Sequence, residues 1–473
     1  MPTYQFTNEA EYPPGLPRMV RVGDVLAPAA AWDLAEMDVE EAVLADLALK
    51  AAFLSSEVNT ATIAQRIALP LYLVAKLMER LRTAHLVEVL GEAGPLGYRY
   101  AATQRGRERA AQLMAVSGYV GPAPVSLEAY TAVTRWQRAP ADPVTPERVV
   151  AALADLVLPD DVKLLAGLAV ATGRALFVFG PPGNGKTTLG KLLHETLPGA
   201  IWVPHCINVD SSIIRVFDVQ VHQPAEPLAG PVDARWVRIR RPFIIGGGEL
   251  RIESFDLIDS PSLRYYEAPL HLKANGGLLL IDDFGRQRVQ PHELLNRWII
   301  PLEYEVDYLN LRTGQKIEVP FLQSLIIATN LDPMGVMDPA FLRRMGYRLQ
   351  LHAPTPDQYA EIFRRHAARA GVAAPEDQVE RLLDRYRLER RELRGCEPRD
   401  LIDRALELRR FRGGPPELTE EDLDLAWSGY FGTLTAEGNR PARDPGARPV
   451  RSEPGPAAGK DSRLIALRRN VST

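Results

Sequence analysis

ALFVFGPPGNGKTTLGKLL, residues 175–193, decides the fold. Its opening residues form a short apolar run that reads as a buried strand, Ala175–Phe179, and its end reads as an amphipathic helix over Thr187–Leu197. Between them lies GPPGNGKT, a match to GxxxxGK[ST] in the strand–loop–helix context that this motif requires. Gly180, Gly183 and Gly185 let the backbone curl so that successive N–H groups point inward at phosphate oxygens. The helix N-terminus adds its dipole at the same spot. Lys186 supplies a point charge for β- and γ-phosphates, and Thr187 a hydroxyl for Mg²⁺. With Pro181, Pro182, Asn184 and Thr188 they make up the predicted nucleotide-contacting run.

A second stretch supplies the partner that such a loop needs. GGLLLIDDFGR (276–286) contains Leu278–Ile281, fully apolar as a central parallel strand should be, followed by two carboxylates. Carboxyl ends of strands are where α/β sheets bind ligands. Asp282 is therefore expected to hold the Mg²⁺ shell, and Asp283 to act as a base or to orient water.

The remainder divides by composition. Residues 1–36 are Pro-rich with a short strand expected at Met19–Leu26, and 37–120 form a helical unit. A Pro-rich linker occupies 121–144, and 145–353 alternate helical periods with short apolar runs, the mark of a mostly parallel α/β sheet. Residues 354–432 are helical again, and 433–473, rich in Pro, Gly and Arg, read as a disordered tail. A net charge of -4 excludes global polycationic binding to nucleic acid but not a local patch. Two distant cysteines, Cys206 and Cys396, argue against a disulfide framework and for a reducing cytoplasm. No apolar run reaches the roughly 18–20 residues that span a bilayer, so no membrane insertion is expected.

Downstream of the two nucleotide motifs, SLIIATN (324–330) resembles the sensor-1 strand of AAA+ ATPases, ending in Asn330. DPAFLRRMGYRLQL (338–351) is similar to the segment that carries an arginine finger, with Arg343 and Arg344 both eligible. GCEPRDLIDRALEL (395–408) resembles the sensor-2 helix, with Arg399 in place. These motifs, in family order over about 150–432, imply a P-loop α/β core, a helical lid, ATP and Mg²⁺ as cofactors, and ring assembly, commonly hexameric. YEVDYLNLRTGQKIEVPFLQSLIIATN (304–330) alternates around RTGQ, like the hairpin that precedes sensor 1 in branch-migration motors, enhancer-binding activators and MoxR-type or cofactor-insertion chaperones. RWVRIRRPFIIGGGELRIESFDL (235–257) reads as a strand pair turned at Gly246–Gly248, an insert that the resemblance would place toward a central pore. Two departures stand out. Asp283 occupies a position where the family usually has Glu, drawing the carboxylate back by roughly 1 Å, and small misplacements slow catalysis. The GAFTGA loop that grips sigma-54 in enhancer-binding activators does not occur.

Upstream, the segments within 37–120 resemble a winged helix. Thr60 is expected to cap its second helix, Leu71–Thr83 takes the recognition-helix position, and Val87–Ala101 forms the wing. Lys76, Arg80, Arg82, Arg99, Arg105, Arg107 and Arg109 could contact phosphates, yet Asp38, Glu40, Glu41, Asp46 and Glu57 share the unit. Such a fold serves DNA readers and protein-docking modules alike. Tyr265 and Tyr266 read as core or surface aromatics, with pore lining as the alternative.

The resemblance assigns roles. Lys186 and an Mg²⁺ held by Thr187 and Asp282 neutralise charge, Asp283 and Asn330 handle the water, and Arg399 senses the γ-phosphate from the lid. Arg343 or Arg344 acts in a neighbouring subunit. The leading expectation is an ATP hydrolase that remodels a protein client as a homo-oligomeric ring. Alternatives are a DNA-associated motor docking through the winged helix, and a slow nucleotide-gated scaffold.

Overall fold

A computed structural model describes residues 4–6, 15–94, 97–138, 142–260, 264–336 and 339–432. The expected tail at 433–473 therefore lies outside the described residues. The chain divides into two compact units, one comprising Met1–His366 with Pro375–Pro398, the other Ala367–Ala374 with the chain from Arg399 onward.

The first unit is organised by a five-stranded, wholly parallel sheet in the order Phe243–Gly246, Leu278–Ile281, Ser324–Thr329, Leu176–Phe179, Tyr347–Gln350. Its three central strands are apolar and buried on both faces, as parallel strands covered by helices must be. The helix Lys186–Glu195 packs its Gly190 against Leu280; a Cβ there would lie 3.1 Å from the Leu280 side chain. This is an α/β P-loop core. The strand bearing the two aspartates is separated from the phosphate-loop strand by Ser324–Thr329 alone, so whatever follows Thr329 emerges between the two motifs.

Two sequence expectations need correction here. Residues 235–257 are not one strand pair turned at Gly246–Gly248: the short helix Ile252–Phe255 follows the glycines, and before them lie two strands, Trp236–Arg240 and Phe243–Gly246, that belong to different sheets. The former pairs antiparallel with Ala200–Pro204, whereas the latter is the edge strand of the parallel core, beside Leu278–Ile281. Phe243, Ile244 and Ile245 form the apolar run that a parallel neighbour demands, and that neighbour lies 35 residues onward in sequence. Likewise Met19–Leu26 is a hairpin of Met19–Val22 and Val25–Pro28, turned at Gly23 with φ of 60°.

The hairpin expected around RTGQ is present as Val306–Asn310 paired with Lys316–Pro320. A second, mixed sheet holds Cys206–Val209 and Ser212–Arg215. Tyr265 and Tyr266 are both buried, and Tyr266 Oη accepts from the Arg312 backbone N–H at 2.7 Å, which places them in the core rather than on a free surface.

In the N-terminal region, helices Glu41–Phe53, Thr60–Ile67 and Leu71–Thr83 bury Leu44, Ile63, Leu73 and Leu77 together, with strands Val87–Glu92 and Tyr98–Ala102 and helix Gln104–Val116 alongside. The same apolar cluster runs on into Cys206 and Ile213 of the mixed sheet and into Tyr265. The cap of Thr60–Ile67 is Asn59, not Thr60: Asn59 Oδ1 accepts from the Thr62 N–H at 2.7 Å. Thr60 is buried and its hydroxyl instead meets the Tyr98 backbone. Arg235, 4% exposed, clamps this region to the mixed sheet. Its guanidinium donates to Asp233, to Asp38 Oδ1 at 2.6 Å and to the Pro124 carbonyl at 3.0 Å. A buried arginine is tolerated because carboxylates neutralise it on two sides.

Among the described residues no single helix is long and apolar enough to cross a membrane. The helices Pro356–Arg369, Glu376–Leu388, Glu397–Phe411 and Glu420–Phe431 complete the described residues.

Candidate nucleotide site

The loop between Phe179 and Lys186 takes a conformation that only glycine supports at two points. Gly180 has φ of 139°, and a Cβ there would lie 2.0 Å from the Leu351 carbonyl oxygen. Gly183 has φ of 81°, and a Cβ would lie 2.7 Å from Cys396 Sγ. Positive φ and close approach are the two reasons for glycine, and both apply. Lys186 is buried, 7% exposed, and curls back over the loop to donate to the carbonyls of Gly180 and Pro181, each at 2.8 Å. Burial lowers its pKa, while Asp282 and Asp283 oppose that by favouring the cation.

Four residues form one continuous chain of contacts beside this lysine, with a main-chain N–H as one of its links. Thr187 Oγ1 donates to Asp282 Oδ2 at 2.6 Å. Asp282 Oδ1 accepts from the Asp283 N–H at 3.0 Å. Asp283 Oδ1 accepts from Asn330 Nδ2 at 2.7 Å. Asn330 is in reach because its strand lies between the two motif strands. The turn is pinned by Phe284 N–H to the Ala328 carbonyl (2.8 Å) and by Thr329 Oγ1 to the Phe284 carbonyl (2.7 Å).

Asp283 has φ of 49°, in the left-handed region. Asp and Asn enter that region several times more readily than other non-glycine residues. The shorter carboxylate, read from sequence as a departure, thus suits the backbone at this turn.

Sequence reading missed two contributors. Gln287 donates from Nε2 to the Asp282 carbonyl at 2.7 Å and accepts from the Gly285 N–H at 2.8 Å, which fixes the acidic turn. The segment before helix Glu397–Phe411 closes on the loop: Gly395 N–H donates to Asn184 Oδ1 at 3.1 Å, beside the Cys396–Gly183 approach. The only signal for the latter was the glycine itself in GCEPRD. Arg343 is exposed on helix Pro339–Arg344, whereas Arg344 Nε lies 3.0 Å from Glu303 Oε2. Arg399 belongs to the second unit, where its guanidinium lies 2.9 Å from Asp400 Oδ1.

The donor set fits Mg²⁺. A hydroxyl and a carboxylate oxygen 2.6 Å apart are hard ligands of the kind that Mg²⁺ shares with water and phosphate, rather than a full protein cage.

No curated protein matches the chain. A family profile described as a domain of unknown function (DUF8689) matches residues 355–429. Among solved structures, the chain is similar to the Thermotoga maritima RuvB Holliday junction branch migration motor, with 15% identity and a TM-score of 0.35 over 57% of this chain and 69% of that one. A mutant of T. maritima RuvB gives 15% and 0.34, over 62% and 72%. Brucella abortus NtrX in complex with ADP gives 15% and 0.38, over 62% of this chain and 59% of NtrX, under two-thirds of its length. TM-scores this low mark a loose overlay, so the case for a nucleotide site is carried by this chain's own side-chain geometry.

Proposed function

We propose that the protein is an AAA+ ATPase that binds Mg·ATP at residues 180–188 and hydrolyses it. The observation that carries this reading is the unbroken run Thr187–Asp282–Asp283–Asn330 beside Lys186. Thr187 and Asp282 would hold Mg²⁺, which would supply charge neutralisation on the phosphates of bound ATP. Lys186 exchanges its two loop carbonyls for phosphate oxygens. Asp283 accepts the proton of the attacking water, and Asn330 holds that carboxylate in line. Turnover rather than a slow scaffold is favoured because Asn330 orients Asp283, which offsets the shorter side chain.

Arg343 or Arg344 completes the site from a neighbouring copy in a ring, and Arg399 reports the nucleotide state from the lid. Arg343 is the stronger choice, since Arg344 already meets Glu303. The division into a winged-helix-like domain (37–120), an ATPase domain (145–353) and a lid (354–432) belongs to the same proposal, as does a cytoplasmic setting.

The work done is remodelling of a protein client. The N-terminal cations named as DNA contacts are largely neutralised within the chain: Lys76 by Asp33 (2.8 Å), Arg99 by Glu57 (3.0 Å), Arg109 by Asp46 (3.7 Å), Arg80 by Glu41 and Arg82 by Glu79. The outer face of Leu71–Thr83 is further occupied by Tyr72 donating to the Ala31 carbonyl. Such a surface offers few phosphate contacts. Steady-state phosphate release by the full chain and by Lys186→Ala tests the reading. Release that survives the substitution would remove it.

A further inference from the structure

The turn that carries Asp283 is held by hydrogen bonds at every N–H from Asp282 to Arg286 and at the carbonyls of Asp282, Asp283 and Phe284. Main-chain partners supply part of this. The Asp282 N–H donates to the Gly246 carbonyl at 2.8 Å, the Phe284 N–H to the Ala328 carbonyl at 2.8 Å, and the Arg286 N–H to the Asp283 carbonyl at 3.0 Å. Two side chains from outside the turn supply the rest. The Gln287 amide spans the turn, meeting the Asp282 carbonyl and the Gly285 N–H at 2.7 and 2.8 Å. Thr329 Oγ1 donates to the Phe284 carbonyl at 2.7 Å and accepts from the Leu331 N–H at 3.1 Å.

Thr329 is fully buried, and its hydroxyl touches the residue after Asp283 and the residue after Asn330. One oxygen therefore sets the spacing of the two partners in the Asp283–Asn330 bond. The turn also needs an external hold, because Asp283 and Gly285 are both left-handed, with φ of 49° and 95°. Backbone of this kind at a non-glycine residue persists only where its surroundings over-determine it. Neither Thr329 nor Gln287 hydrogen-bonds to the phosphate loop among the described residues, so their effect falls on the acidic turn.

On the reading of residues 180–188 as an ATPase site, we propose that Thr329 and Gln287 are positioning residues for hydrolysis, which act by aiming the Asp283 carboxylate. Without them the turn relaxes and the carboxylate moves, and a displacement of about 1 Å at a reacting group costs about 10²-fold in rate.

The test measures phosphate release from Mg·ATP by the full chain, with Mg·ADP affinity from calorimetry. Thr329→Val keeps the side chain's shape and removes its hydroxyl. It should lower kcat about tenfold or more, with KM and Mg·ADP affinity held within about threefold. Thr329→Ser restores the hydroxyl and should recover most of the loss. In a chain already carrying Asp283→Asn the carboxylate to be aimed is gone, so Thr329→Val should change the residual rate less than about twofold. Parent kcat in Thr329→Val, a loss that Thr329→Ser does not recover, or the same tenfold loss in the Asp283→Asn background would overturn the inference and leave the ATPase reading standing. Turnover that is absent from the parent, or that survives Lys186→Ala, would remove both. Should Thr329→Val fail to fold, the half-buried Gln287→Ala decides: kcat lowered about fivefold or more at constant KM supports the inference, and unchanged kcat overturns it.

Discussion

Asn330 Nδ2 donates to Asp283 Oδ1 at 2.7 Å, linking the residue after one core strand to a turn that follows another. This contact fixes the direction of a carboxylate whose backbone, at φ of 49°, already sets it apart from an ordinary strand end. Asn330→Ala should therefore lower kcat by about 10²-fold, the size of loss typical of one positioned catalytic group, with KM for ATP nearly unchanged. Steady-state kinetics distinguish this from a binding defect, in which KM would rise and kcat hold.

Gly180 and Gly183 make unequal demands. Gly180→Ala meets a backbone oxygen and strained φ together, so a loss above about 3 kcal/mol is expected in urea denaturation. Gly183→Ala meets a cysteine side chain. Adding Cys396→Gly should recover part of its loss, leaving the φ strain of roughly 1–3 kcal/mol.

His205 gives a pH signature. Burial holds its pKa down to about 4, against 6.5 for the unperturbed ring. Between those values the unfolded chain binds a proton that the folded chain does not, so stability rises with pH through this window and falls on acidification. The slope from this residue is at most about 1.4 kcal/mol per pH unit. Denaturation midpoints of parent and His205→Phe should diverge from pH 4 to 6.5 and run parallel above pH 7.

Much of this site was legible because it is local in sequence. The phosphate loop, Leu278–Ile281 and the RTGQ hairpin each carry their own signal within a few residues. What escaped depends on partners far along the chain. Phe243–Gly246 reads like half of a hairpin until its parallel neighbour is known. Lys76 and Arg80 look like phosphate contacts until Asp33 and Glu41 close on them. Thr60 offers a capping hydroxyl as good as the Asn59 amide oxygen in sequence, and only the fold turns that hydroxyl toward Tyr98 and leaves Asn59 as the cap.

Those ion pairs predict weak DNA binding. Anisotropy with duplex DNA should give a shallow salt dependence, with log–log slope no steeper than about -2, because few cations are available to displace counterions. A steep slope, or stimulation of phosphate release by duplex, would favour the DNA-docking reading.

A site completed by a neighbour predicts complementation. Lys186→Ala has a defective loop and intact arginines, and Arg343→Ala the reverse. Each alone should be inactive, and mixtures should regain activity that depends on protein concentration.

ATP binding and hydrolysis at residues 180–188 are tested together by titrating Mg·ATP into the full chain carrying Asp283→Asn or Lys186→Ala, with phosphate release measured in parallel. Asp283→Asn is expected to bind one nucleotide per chain with turnover reduced at least 10²-fold, and Lys186→Ala to show no measurable binding. Undiminished turnover by Asp283→Asn, or binding by Lys186→Ala equal to the parent, would contradict the proposed site.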